Sequence, residues 1–252
     1  MDTHKECYRP DYYEELFKIE ENNFWFKSRN RLIIWALGKY FPNVKNFLEI
    51  GCGTGFVLSG VRRAFPHIAF YGGDIYPEGL AYAKKRLKDA QFFQMDSRDL
   101  PFRNKFDVIG GFDVIEHITE DEQVLKEMHK ATREGGGIIL SVPQHGFLWS
   151  RYDEHACHVR RYEAGELKAK VEKSGFKVIS VISFVSLLFS LMVLSRMKKQ
   201  KPDKKYNAID ELRSGRLTNA VLGKVMDLER GLIRMGIRFP FGGSLLLVAQ
   251  KN

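Results

Sequence analysis

A doubly wound α/β fold around a mostly parallel sheet is predicted by three observations. Apolar, β-branched runs alternate with helical stretches from Phe47 to Phe184. The first of these runs, Phe47-Leu48-Glu49-Ile50, turns through glycines at alternate positions, Gly51, Gly53 and Gly55. The next acidic residue to end an apolar run, Asp74, stands nineteen positions after Gly55, close to the ~20 residues that separate such a turn from a ribose-binding carboxylate. Alternating strand–helix units imply right-handed crossovers and a ligand at the carboxyl ends of the strands.

Along the chain, Asp11 to about Lys39 reads as one or two helices, with Phe24-Trp25-Phe26 between charged flanks. Ile33, Ile34 and Leu37 carry a helical period up to a strand at Asn46–Ile50. Thr119-Glu120-Asp121-Glu122 reads as a capping box ahead of Val124, Leu125 and Met128, in a helix that ends at Gly135–Gly137. A further helix over Glu166–Ser174 precedes a β-branched run from Val178 to Ile182. Val178–Ser195 carries no charge over eighteen residues, a length that can span a membrane. Its β-branched start divides it instead into a buried strand and a short apolar helix, Ser186–Arg196, followed by Lys198, Lys199, Lys201, Lys204 and Lys205. A second helix, Leu217–Met235, places Leu217, Val221, Val225, Leu228 and Leu232 on one face, and a last strand covers Ser244–Gln250. The expected organisation is an N-terminal helical lid (1–45), a ligand-binding core (46–184), a basic and apolar insertion (185–240) and the final strand (241–252).

At 252 residues and 44% hydrophobic content, the chain suits one well-cored domain with an insertion. Cys7, Cys52 and Cys157 form neither a metal spacing nor an even disulfide framework. With a polar N-terminus lacking a signal peptide, they point to a reducing, cytoplasmic setting. Residues 185–243 hold twelve Lys/Arg and five Asp/Glu, so +7 of the net +9 lies in the insertion. An apolar helix beside that charge packs in a core, lids the site over a greasy substrate, or sits peripherally on an anionic membrane.

The turn discriminates between ligands. A dinucleotide fingerprint reads G-x-G-x-x-G and aims a helix N-terminus at a pyrophosphate; here the pattern is E-x-G-x-G-x-G. A carboxylate at Glu49 repels a pyrophosphate and attracts an ammonium. The ligand indicated has a ribose diol and a cationic amino-acid tail, a description that S-adenosylmethionine fits. Four further segments follow in register: Gly73-Asp74-Ile75; Met95-Asp96-Ser97; Phe112-Asp113-Val114-Ile115-Glu116-His117; and Gly135–Pro143. With these, the chain resembles a class I S-adenosylmethionine-dependent methyltransferase over roughly Phe47–Val185 and the last strand. The resemblance implies a Rossmann-like, seven-stranded sheet with an antiparallel last strand and a helical insertion between strands six and seven. It implies cofactor contacts from Glu49, Gly51, Cys52, Gly53, Gly55, Asp74, Ile75, Asp96, Ser97, Phe112 and Asp113, with Asp74 on the ribose and Asp96 on the adenine.

Methyl transfer from a sulfonium needs alignment and water exclusion, and a base when the acceptor is oxygen or nitrogen. His117, at the end of the D-V-x-E-H segment, and His145, after the fifth strand, are the candidates; packing is the alternative role for His117. His158, Arg161 and Tyr162 match an H-x-x-R-Y segment of similar methyltransferases, in which anchoring a loop and binding the acceptor are the two roles. Glu163 departs from the Ser or Thr cap usual there. His155 and His158 lack a second pair at zinc spacing, so no metal is expected. Trp25, Phe26 and Arg29 are assigned to a lid, where aromatic rings can also face a cation. The acceptor expected is a small or lipid-like molecule. A nucleic-acid or protein acceptor is disfavoured, because the charge sits in one insertion and no N-P-P-Y-like motif follows strand four. A non-catalytic module that binds the cofactor and docks on a membrane is the reading from another class.

Overall fold

The structure is a computed structural model that describes residues 10–197, 213 and 215–252. Seven strands form one sheet in the order β3-β2-β1-β4-β5-β7-β6. They are β1 (Asn46–Ile50), β2 (Ala69–Asp74), β3 (Gln91–Gln94), β4 (Phe106–Phe112), β5 (Thr132–Pro143), β6 (Phe176–Phe184) and β7 (Ser244–Lys251). β7 runs antiparallel between β5 and β6, and the other pairings are parallel. The order reverses between β1 and β4, so a crevice opens at their carboxyl ends, where ligands bind in open α/β sheets.

The helices are α1 (Pro10–Glu20), α2 (Phe24–Tyr40), α3 (Phe56–Ala64), α4 (Pro77–Arg86), α5 (Asp121–Ala131), α6 (Arg151–His155), α7 (Ala164–Lys173), α8 (Phe189–Met197) and α9 (Arg216–Arg234). Two large buried apolar clusters form among the described residues, beside a small third one of Cys52, Leu80 and Ala83. One joins α2 and α3 to Met226 and Ile233 of α9; the other joins Val124, Leu125 and Met128 of α5 to Leu167 and Val171 of α7. Both draw on the alternating side chains of the same strands, Phe47 and Leu48 of β1 belonging to different clusters. Burial on both faces explains why these strands read as continuous apolar runs.

Four local expectations need correction. The Thr119 box does not form: the N-cap is Glu120, without a side-chain cap bond. Asp121 instead accepts from Glu122 N, Tyr162 Oη and Lys170 Nζ. α5 ends at Ala131, and Gly135–Gly137 belong to β5. Gly137 is needed there because a Cβ would lie 2.2 Å from Ala249 O and 2.5 Å from the Phe41 ring. The short apolar helix starts at Phe189, three residues later than expected, and the N–H groups of Val185, Ser186 and Leu187 ahead of it are held by Glu229. On α9 the buried residues are Met226, Glu229 and Ile233, whereas Leu217, Val221 and Leu228 are exposed. At 100° per residue these two sets lie on opposite sides of the helix.

The basic run Lys198–Lys205 and Cys7 lie outside the described residues. Cys52 is a buried free thiol. No helix among the described residues is long and apolar enough to cross a membrane.

Candidate active site

A cavity of about 870 Å³ opens at the carboxyl ends of β1, β2 and β4. Its floor is the glycine turn, where Gly51, Gly53 and Gly55 have φ of 59°, 49° and 72°, a region that side chains rarely adopt. A Cβ on Gly51 would lie 2.5 Å from Val114 Cγ2, while a Cβ on Gly53 would meet nothing within 4 Å and intrude into the cavity it lines. Asp74 fixes this turn: its Oδ2 accepts from Gly53 N at 2.8 Å and its Oδ1 from Tyr76 N at 2.9 Å. Burial raises the Asp74 pKa, against the lowering effect of those backbone bonds.

Glu49 lines the same wall, is 3% exposed, and its Oε2 has no hydrogen-bond partner. Burial pushes its pKa well up, with Arg29 opposing. Arg29 forms an ion pair with Asp113 and stacks 4.5 Å from the Trp25 ring centroid. The Trp25 face is therefore occupied by a guanidinium of this chain. Asp96 binds Arg98 through Nε at 3.0 Å and Nη2 at 2.6 Å, and the hydrogen bonds from Arg98 lower its pKa despite partial burial.

The opposite wall carries His117 and His158, whose ring centroids are 4.7 Å apart. His158 Nδ1 lies 2.8 Å from Asp153 Oδ1, and Arg161 Nε also donates to that oxygen at 2.8 Å. Burial works to raise the Asp153 pKa, but bonds from His158 and Arg161 outweigh it and hold the carboxyl well below its ordinary range. An ionised carboxylate only accepts, so His158 Nδ1 carries the proton. Beside them Glu116 is fully buried, with both carboxylate oxygens lacking hydrogen-bond partners. Burial raises its pKa to about 8.

Of the residues singled out in the sequence, Glu49, Gly51, Cys52, Gly53, Asp74, Ile75, Asp96, Ser97, Phe112, Asp113, Trp25, Phe26, Arg29, His117 and His158 line the cavity. Gly55 does not; it is the left-handed N-cap of α3. Nor do Arg161 and Tyr162: Arg161 grips Asp153, and Tyr162 Oη donates to Asp121 at 2.7 Å. His145 is also displaced from the cavity. With φ 64° it turns onto Phe147, Phe189 and Phe241, and its Nδ1 contacts Glu163 at 3.0 Å. Glu163, the N-cap of α7 without a cap bond of its own, is thereby engaged elsewhere.

Sequence reasoning passed over Tyr12, Tyr13 and Glu20 of α1, Tyr152 and Glu116. α1 closes one side of the cavity, tied by Glu20 to Arg86 and Thr54 at 2.6 Å each. An acid inside the apolar run Val114–Ile118 was the available signal for Glu116.

A family model described as "Methyltransferase domain" matches residues 19–181. The chain belongs to this family. A Mycolicibacterium smegmatis protein named as a probable S-adenosylmethionine-dependent methyltransferase is 26% identical over 166 residues, covering 64% of this chain and 62% of that one. The demethylmenaquinone methyltransferase of Thermotoga maritima is 30% identical over 99 residues, 39% of this chain and 43% of that one. The matches thus span less than two thirds of these relatives' length. Phosphoethanolamine N-methyltransferase 2 of Haemonchus contortus, solved with S-adenosylmethionine, superposes with a TM-score of 0.63 at 19% identity, over 99% of this chain and 58% of that one. That likeness carries the fold. Fold, family and relatives together make this methyltransferase domain a class I, S-adenosylmethionine-dependent one.

The residues present fit that cofactor. A buried carboxylate oxygen with no protein donor, Glu49 Oε2, suits an ammonium, and the open space over Gly53 admits a ligand against the backbone.

Proposed function

We propose that this methyltransferase domain transfers a methyl group to an oxygen or nitrogen of a small or lipid-like acceptor bound beside His117. The observation that carries the reading is the division of one cavity into two chemistries. Glu49 and Asp74 stand on the glycine-turn side, and the His117–His158 pair lines the cavity with the buried Glu116 next in sequence to His117, outside the lining. When bound, S-adenosylmethionine supplies a methyl group on a positively charged sulfur, a carbon already activated for displacement.

The chain's own residues then have three tasks. Glu49 would hold the ammonium and Asp74 the ribose hydroxyls, each from a position already fixed by β1 or β2. α1, with Tyr12 and Tyr13, and the start of α2, with Trp25 and Phe26, border the cavity and would shed water from a bound ligand, which raises the value of every polar contact inside. His117 would take the acceptor's proton, with His158 beside it and oriented by Asp153.

Relatives whose names specify oxygen acceptors, such as the fatty-acid O-methyltransferase of Mycolicibacterium smegmatis, support a lipid-like acceptor. So does the insertion's surface. Leu187, Leu191 and Leu194 at α8 and Leu217, Val221 and Leu228 on α9 are exposed, alongside exposed Arg216, Lys224, Arg234 and Arg238. Leucines beside cations suit the interface of an anionic membrane, from which a lipid-like acceptor would be taken.

The test is calorimetric titration with S-adenosylhomocysteine and NAD, followed by methyl-transfer assays against fatty acids, quinol precursors and small amines. Binding of the adenosyl ligand with methylation of a hydroxyl or carboxylate acceptor supports the reading. Preferential NAD binding would refute it. Sedimentation with phosphatidylglycerol vesicles, in wild type and Leu191→Ser, tests the membrane arm; equal sedimentation of both, or of neither, removes it.

A further inference from the structure

Glu116, His117 and His158 come from two segments far apart in sequence, joined where Val159 N donates to Glu116 O at 2.8 Å. Each offers one ligand atom, and the three atoms lie within 4.8 Å of one another. Donors around a tetrahedral zinc sit about 3.4 Å apart, given metal–ligand bonds of ~2.0–2.1 Å. Side-chain adjustments of about an ångström would therefore close the set. We propose that these three residues form a binding site for a divalent transition-metal ion of the zinc class, with its open coordination position facing the cavity.

Three features point to a ligand rather than to packing. Glu116 is fully buried, and neither carboxylate oxygen has a hydrogen-bond partner, a costly arrangement unless something else satisfies them. Arg29 and Arg161, the two cations whose charge acts on Glu116, are already paired with Asp113 and Asp153. Finally, Asp153 orients His158 through Nδ1 and is itself locked by Arg161. A carboxylate behind a histidine in this way fixes the tautomer and raises the basicity of the other ring nitrogen, the usual outer support of a histidine metal ligand.

Two imidazoles and one carboxylate favour zinc, cobalt or iron over magnesium or calcium, which prefer all-oxygen shells. Three protein ligands leave a position free, as in catalytic rather than structural zinc sites. An acceptor oxygen placed there would be more acidic than in water. With the ion bound, this acidification takes the place of His117 as base, because a ligated neutral imidazole has no lone pair left for a proton. This role rests on the proposed methyl transfer; the site itself does not.

The experiment strips the full chain with chelator and titrates it with Co²⁺, reading the visible d–d bands, then displaces Co²⁺ with Zn²⁺. S-adenosylhomocysteine binding and thermal melting are recorded on the same samples. Wild type should take up one equivalent. His158→Gln and Glu116→Gln should each bind at least about tenfold more weakly while keeping their melting transition and adenosyl binding, and His155→Gln should bind like wild type. No uptake by stripped wild type, uptake unchanged in both ligand variants, or preference for Mg²⁺ over Co²⁺ would overturn the site. Loss of adenosyl binding with metal uptake intact would instead overturn the cofactor reading alone.

Discussion

Asp74 Oδ2 accepts the Gly53 N–H at 2.8 Å, so the residue expected to hold a ribose also holds the turn beneath it. Its other oxygen accepts from Tyr76 N, which sets the first turn of α4. Asp74→Ala therefore orphans two backbone donors as well as any ligand hydroxyl, at about 1–3 kcal/mol for each unsatisfied group. Adenosyl ligand affinity should fall by at least about tenfold, the equivalent of 1.4 kcal/mol, and the melting temperature should fall with it. Asp74→Asn keeps one acceptor and should lose less of both. Calorimetry with S-adenosylhomocysteine and thermal melts decide this; unchanged affinity in the alanine variant would remove Asp74 from the ligand's contacts.

Arg86 is the main clasp between α1, α4 and the glycine turn. Its Nη1 donates to Glu20 Oε2 and Thr54 Oγ1 at 2.6 Å each, and its Nη2 to Phe17 O at 3.0 Å. Both ion-pair side chains are only 6% exposed. Removing one partner of a buried pair typically costs about 3–5 kcal/mol, because the other charge is left stranded. Arg86→Met should show a loss of that order in urea unfolding. The double variant Glu20→Leu/Arg86→Met should recover part of it, since no charge then remains buried. If the double variant were no more stable than Arg86→Met, the pair would not be the reason for the loss.

The sequence exposed the sheet better than the site. β1 runs Asn46–Ile50, where the apolar run predicts it, because a strand buried on both faces has no other way to be written and the glycines end it sharply. The pattern misled where polarity and packing part company. On α9, Leu217 and Leu228 face outward while the buried face includes Glu229, an acid that a count of apolar residues discards. His145 follows a correctly read strand, yet a left-handed backbone at that residue sends its ring to Phe189 and Phe241. The approach of Glu116 to His158 depends on a loop crossing that no local spacing encodes.

Glu229 is the keystone of the junction between β6 and α8. Its Oε1 accepts from Val185 N at 2.7 Å, and its Oε2 from Ser186 N at 2.7 Å and Leu187 N at 2.8 Å. Val185 has φ of 61°, an outlier for a β-branched residue that persists only when its surroundings hold it. Glu229→Ala leaves three donors with no side-chain acceptor, and a loss of about 2–4 kcal/mol is expected in chemical denaturation. Glu229→Gln should cost less, because its amide oxygen can still accept. An alanine variant within about 0.5 kcal/mol of wild type would show that water replaces the carboxylate.

Asp121 links α5 to α7 through Lys170 at 2.7 Å, and to Tyr162 Oη at 2.7 Å. Burial works to raise its pKa, but the bonds from Lys170, Tyr162 and Arg160 together bring it below the ordinary value of 3.8. A carboxyl whose folded pKa is depressed binds more protons when unfolded. Its stabilisation is therefore present above about pH 4, and is lost as pH falls through the folded pKa. Asp121→Asn should thus be less stable than wild type at pH 7 by about 1–3 kcal/mol, the worth of hydrogen bonds to a charged group. The gap should hold down to about pH 4 and narrow below it, as protonation of the carboxyl brings the two proteins together. Denaturant melts of both proteins at pH 7, 5 and 3 check this. A gap that stays constant down to pH 3 would mean that Asp121 contributes by shape and packing, with its charge making no net difference.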